Sequence, residues 1–271
     1  MPKVELNDIE MYYEVHGEGA PLMIINGFGG TSEGWESVSP LITDLSKQYK
    51  VIIQDNRGVG RSTISDKQVT IKLMAQDKVA LLDKLGIEAA YFIGNSMGGM
   101  IAQEIALDYP ERVLGIILSA TSPGGECYKI EGQLEKIRMI SWNYEPPKEL
   151  TQEEIMEKFA DVVWSSEFYM DNKERLKEYV PEYPAPASTL RRYYDAVLNH
   201  DTCDRLSCIS AKTLVLHGGQ DDLVFPDSAY YMVKKIPDSE LFLIKDARHG
   251  VLEEKWDEVY GRLLDFITPI N

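Results

Sequence analysis

Cysteine and histidine are scarce in this chain, and each scarcity excludes something. The three cysteines are Cys127, Cys203 and Cys208. Three cannot all pair within one chain, and their spacing is not that of a zinc site. The expectation is free thiols in a reducing cytoplasm. The four histidines, His16, His200, His217 and His249, offer no H-E-x-x-H or related spacing, so neither a metal nor any other cofactor is expected. Long apolar runs are absent too. Nothing approaches the ~20 residues of a membrane span, and the opening MPKVELNDIEMYY holds no stretch of signal-peptide length. Positive charge is in short supply: 28 Lys and Arg against 44 Asp and Glu leave a formal net charge of −16. Such a surface repels phosphate backbones and anionic lipid, so nucleic acid and membranes are not expected partners. A cytoplasmic monomer or homodimer acting on a small molecule is.

What is present is a core. With 44% hydrophobic residues over 271 positions, the chain can bury a large interior. PLMIING (21–27), YKVIIQD (49–55), AAYFIGN (89–95), RVLGIILSA (112–120), AKTLVLHGG (211–219) and SELFLIKDA (239–247) are near-continuous apolar runs, the pattern of strands buried on both faces. MYYEVHG (11–17) alternates and reads as a half-exposed strand, one of an N-terminal hairpin-like pair running against the rest. Helical patterns at 70–86, 100–110, 227–237 and 255–267 separate the runs, with Gly86, Pro110 and Pro237 marking helix ends. The alternation predicts an α/β protein: a mostly parallel sheet of about eight strands with helices on both faces. It lapses between residues 124 and 209, where helical segments rich in charge and aromatics are punctuated by proline. That stretch reads as a helical cap inserted into a core formed by residues 1–123 and 210–271.

The chemistry starts at GNSMGG (94–99), where a serine stands between a buried strand and an amphipathic helix. G-x-S-x-G reverses the chain so tightly that the central residue is strained, and its hydroxyl is lifted clear of the sheet. The N–H groups and dipole of the following helix face the site. Ser96 is therefore the candidate nucleophile, and it needs a base. His249, in DARHGV after the last apolar strand, lies at the same sheet edge and is the candidate base. His217 ends the strand LVLH and reads as a structural histidine. The base needs a carboxylate to fix its tautomer, and HGGQDDLVFPD offers Asp221 or Asp222. Counting from the His-Gly pair favours Asp221 and counting back from Pro226 favours Asp222; Asp221 is preferred. Two oxyanion donors are expected, the N–H groups of Met97 and of Phe28 in NGFGG (26–30). Cap aromatics, with Trp142 and Trp164 as the chosen pair, would roof the serine and favour a small apolar ester-like substrate.

These motifs, with the DNRGVGRS loop (55–62), and the order Ser, Asp, His resemble the α/β-hydrolase superfamily over nearly the whole chain. Within it the resemblance runs to carboxylesterases and 3-oxoadipate enol-lactonase-like hydrolases, which carry a helical cap where residues 124–209 lie here. Two departures touch the site. Asn26 stands where the family often has histidine, and so does Asn95. The resemblance implies a cofactor-free serine hydrolase for esters or lactones. It leaves open the same triad used for C–C hydrolysis, perhydrolysis or hydroxynitrile lysis, and a small-molecule receptor that kept its triad.

Overall fold

The computed structural model describes residues 2–128, 136, 150–178 and 182–267. Eight strands form one sheet: β1 (Lys3–Leu6), β2 (Ile9–His16), β3 (Ala20–Ile25), β4 (Tyr49–Gln54), β5 (Ala90–Asn95), β6 (Val113–Ser119), β7 (Thr213–Gly218) and β8 (Ser239–Ile244). Their spatial order is β1-β2-β4-β3-β5-β6-β7-β8. From β4 to β8 every neighbouring pair is parallel. The N-terminal expectation needs a correction: only β2 runs against the others. It pairs antiparallel with both β1 and β4, so β1 shares the direction of the rest.

Strand residues alternate between two apolar layers. Met23 and Ile25 of β3 face one, Leu22 and Ile24 the other. The first layer is covered by α3 (Ile71–Lys84), α4 (Met97–Asp108) and α8 (Asp227–Lys235), the second by α1 (Ser32–Val38), α2 (Leu41–Leu45), α9 (Val251–Glu254) and α10 (Trp256–Phe266). α3 begins where Thr70 caps the Leu73 N–H at 3.0 Å and ends just before Gly86, which takes the left-handed φ of 66° that glycine tolerates best.

Between β6 and β7 the described residues form helices and one isolated bridge. α5 (Gln152–Val163) opens with a reciprocal capping box between Thr151 and Glu154, and α6 (Ser166–Glu178) and α7 (Ala187–Leu198) follow. Ala160, Val163, Trp164, Tyr169 and Leu176 give this cap its own small apolar cluster. Its two ends meet in a neck. Gly124 pairs with Asp201, Gly125 N–H donates to His200 O at 3.0 Å, and Thr202 N–H donates to Pro123 O at 3.0 Å.

The neck corrects the free-thiol expectation. Cys127 and Cys203 form a disulfide with Cα atoms 5.9 Å apart, while Cys208 is free and exposed. The pair is separated by 76 positions, so only the fold brings them together. Closing a loop of that length removes chain entropy from the unfolded state equivalent to about 4 kcal/mol. Reduction with dithiothreitol, or Cys203→Ser, is expected to lower the Tm by on the order of 10 °C, read by calorimetry with and without reductant. Because a reducing cytoplasm keeps most such pairs open, alkylating free thiols in intact cells also tests the cytoplasmic expectation. Among the described residues no helix is long and apolar enough to cross a membrane.

Candidate active site

Parallel strands deliver their following loops to one edge. Residues 26–30 leave β3 there, Ser96 leaves β5, Asp221 leaves β7 and His249 follows β8.

Ser96 has φ 54° and ψ −119°, a backbone that costs a non-glycine residue about 1–3 kcal/mol. The turn is held from several sides. Ser96 N–H donates to Ser119 O at 2.8 Å, Gly99 N–H donates to Ser96 O at 2.9 Å, and the Thr121 hydroxyl donates to the same carbonyl at 2.7 Å. Gly98 is required by proximity: a Cβ there would drive into the carbonyl oxygen of Ile25. The loop 26–30 lies against the Ser96 turn, since a Cβ on Gly27 would stand 3.3 Å from Ser96 Cβ and 3.2 Å from Asn95 O. Asn26 anchors that loop from within, donating to Gln54 O at 3.0 Å and accepting from the Trp35 indole N–H. Phe28 N–H has no acceptor among the described residues, and Met97 is the first residue of α4, whose N–H has no intrahelical partner. The cap braces the same loop. Phe28 meets Tyr193 edge-on at 6.0 Å, the buried Tyr193 hydroxyl donates to Arg57 O at 3.0 Å, and Gly29 faces Leu190.

His249 and Asp221 are in contact. His249 Nδ1 lies 2.9 Å from Asp221 Oδ2. The other carboxylate oxygen accepts the N–H groups of Leu223 at 2.9 Å and Val224 at 2.8 Å, which fixes the carboxylate plane. Burial opposes the charge on Asp221, but His249 and His217, by charge and by hydrogen bond, outweigh it and hold the carboxyl well below its usual range. Burial likewise opposes charge on His249, and the Asp221 carboxylate reverses it, leaving the imidazole more basic than usual. An ionised Asp221 requires Nδ1 to carry the proton, so Nε2 presents a lone pair. Asp222 points elsewhere, 41% exposed, in ion pairs with Arg248 at 3.0 Å and Lys136 at 2.5 Å. His217 Nε2–H donates to Val224 O at 2.7 Å, inside the acid loop. His200 is buried at the cap neck and His16 pairs with Glu14. Ser96 Oγ forms no hydrogen bond with any described residue, His249 included.

Trp164 is buried among Phe159 and Phe168, with ring centroids at 5.5 and 5.8 Å, and its indole edge abuts Gly250, the residue after His249. Trp142 lies outside the described residues. Sequence reasoning passed over Glu254, which ties the histidine loop to the cap by accepting from Arg248 N–H at 3.0 Å and Ser165 N–H at 3.1 Å. In HGVLEEKW the glutamates look like solvated first-turn charges, and only tertiary contact reveals otherwise. Among the described residues no group of three or more His, Cys, Asp or Glu side chains could hold a metal ion.

Comparison with known proteins agrees with this fold. Residues 20–255 match the alpha/beta hydrolase fold family. The chain belongs to that family. It is 30% identical to a 2-hydroxy-6-oxo-6-phenylhexa-2,4-dienoate hydrolase of Comamonas testosteroni, over 97% of this chain and 93% of the relative. A solved enzyme described as degrading N-acyl homoserine lactones superposes with TM-score 0.78 at 27% identity, covering 98% of this chain and 100% of that one. The enol-lactonase of Burkholderia xenovorans shares the fold with TM-score 0.83 at 21% identity, covering 98% and 99%. The chain is thus a hydrolase of the alpha/beta fold.

Proposed function

We propose that the protein is a serine hydrolase of small carboxylic esters or lactones, with Ser96 as nucleophile, His249 as base and Asp221 as the acid that orients it. The observation that carries this reading is the buried 2.9 Å contact between His249 Nδ1 and Asp221, which leaves Nε2 as proton acceptor at the edge where the strained Ser96 stands. Ser96 Oγ attacks the carbonyl carbon as His249 Nε2 takes its proton. The N–H groups of Phe28 and Met97 receive the oxyanion. The imidazolium returns the proton to the leaving alkoxide, and water, deprotonated by the same nitrogen, releases the acyl group. Every acting group belongs to the chain, so the reaction needs no cofactor. The Ser–His hydrogen bond absent at rest forms as substrate fills the site, a tightening common in hydrolytic triads. Apolar substrates suit a site bordered by Phe28 and by the cap's aromatic cluster.

A second reading, hydrolytic C–C cleavage by the same groups, is favoured by the dienoate hydrolase relative. The two are separated by assaying p-nitrophenyl acetate and butyrate beside a 2-hydroxy-6-oxo-hexadienoate, followed by loss of its absorbance. The expected outcome is ester turnover at least about tenfold faster in kcat/KM, a differential of about 1.4 kcal/mol in transition-state binding. The reverse order transfers the protein to the C–C class.

A further inference from the structure

His249 has a second acidic neighbour. The short helix α9 starts from Gly250, and Glu253 N–H donates to Gly250 O at 2.9 Å, which folds the chain back over the histidine loop. The Glu253 carboxyl then lies against Gly250, with Oε2 3.2 Å from where a Cβ on that glycine would stand. The cap closes over the same point. Gly250 N–H donates to Val163 O at 2.7 Å, and Trp164 Nε1 abuts Gly250 from the cap side. Both Glu253 Oε2 and Trp164 Nε1 are buried there without a hydrogen-bond partner among the described residues. A carboxyl needed only for solubility would face water. One stabilising the fold would be hydrogen-bonded. The buried Oε2 fits neither description, and it stands beside the residue that follows the proposed base.

We propose that Glu253 is a positioning residue whose charge holds the proton on His249, so that the two groups titrate as one coupled pair. The inference rests on the reading of His249 as the base. Burial pushes the Glu253 carboxyl up to about 7, partly offset by its own backbone N–H and then by the nearby imidazole, and the attraction is mutual because Glu253 also favours the imidazolium. The other ionisable groups around the pair are Asp221 and Asp222 from the loop after β7, His217 at the end of β7, whose Nε2 lies 3.3 Å from Asp221 Oδ2, Arg248 and Glu254 on either flank, and Asp161 of α5, which lies 3.9 Å from Arg248. Asp221 is ionised throughout the working range, and Asp222 is partnered by Arg248 and Lys136. Glu253 is therefore the group whose charge changes near neutrality beside the base. Ionised, it raises the pH at which His249 gives up its proton; neutral, it lets the imidazole deprotonate earlier.

Glu253→Gln keeps the size and removes the charge. The acid limb of kcat/KM against pH for p-nitrophenyl butyrate is expected to move about one unit toward lower pH, as one nearby charge in a partly polarisable interior implies. A uniform loss of activity with an unmoved limb would reduce Glu253 to a structural residue and overturn the proposal. A second measurement needs neither substrate nor variant. With four histidines in the chain, the imidazole carbon-bound proton of His249 can be followed by NMR, and a coupled pair titrates in two steps. A single-step titration overturns the proposal even if esters are hydrolysed. A two-step titration upholds it even if the ester reading fails.

Discussion

Ser96→Ala is expected to lower kcat for p-nitrophenyl butyrate by roughly 10⁴–10⁶-fold, with KM nearly unchanged. The size of the effect follows from what the hydroxyl does: it forms the bond to the acyl carbon, and nothing else at the elbow replaces it. The fold should survive. The turn is held by backbone bonds to Ser119 and Gly99 and by the Thr121 hydroxyl, none of which uses the Ser96 side chain. Alanine also tolerates the left-handed φ about as poorly as serine, so the strain is retained rather than relieved. Circular dichroism and Tm should match the wild type, and labelling by a fluorophosphonate should vanish. Ester turnover equal to wild type would sink the hydrolytic assignment of this residue.

Asp221→Asn should cost roughly 10²–10⁴-fold in kcat, while Asp222→Asn should change it by no more than about fivefold, the worth of a partly exposed ion pair. The contrast is geometric. In Asp221→Asn the new carboxamide keeps an oxygen for the Leu223 and Val224 N–H groups, so the loop should hold its shape. The amide nitrogen would then face His249 Nδ1, forcing the proton to Nε2 and leaving no base for Ser96. The variant should also lose the raised basicity of His249, since the Asp221 carboxylate is the main influence lifting it against burial. Where that basicity governs the acid limb of the rate, the limb should fall to lower pH in the kcat/KM profile of Asp221→Asn and stay close to wild type in that of Asp222→Asn. Equal losses for Asp221→Asn and Asp222→Asn would mean that the 2.9 Å contact does not direct the chemistry.

Much of this architecture was readable from residue order because buried parallel strands have little freedom in composition. The runs at residues 22–25, 51–53 and 214–216 must be apolar on both faces, and they are. The N-terminal pair was expected, but β1 could not be given bounds or direction because four residues alternating with charge at a sheet edge carry no such signature. α1 and α2 escaped notice because seven and five residues are too short to display a period. Ser96 and His249 were legible as candidates since each follows a strand that cannot be mistaken. The acid could not be fixed from order alone: adjacent aspartates differ only in which way a loop turns them, and the structure turns Asp221 inward to the imidazole and Asp222 outward to Arg248. The Cys127–Cys203 pair and the role of Glu254 depend on contacts between distant segments, which no local pattern encodes. Trp142 falls outside the described residues, and Trp164 sits in the cap's own cluster.

The neck that carries the cap has an evolutionary corollary. Chain departs and returns through crossings whose Cα atoms are 5.9 Å apart at the cystine, so a different intervening segment can be spliced in without altering the spacing of β6 and β7. Substrate range and hydrolytic machinery can then diversify on separate schedules. The exception is α7, whose Leu190 and Tyr193 prop the loop holding Phe28. A chimera that exchanges the insert but spares this helix should inherit a new appetite with its catalytic rate intact; one that replaces it should not.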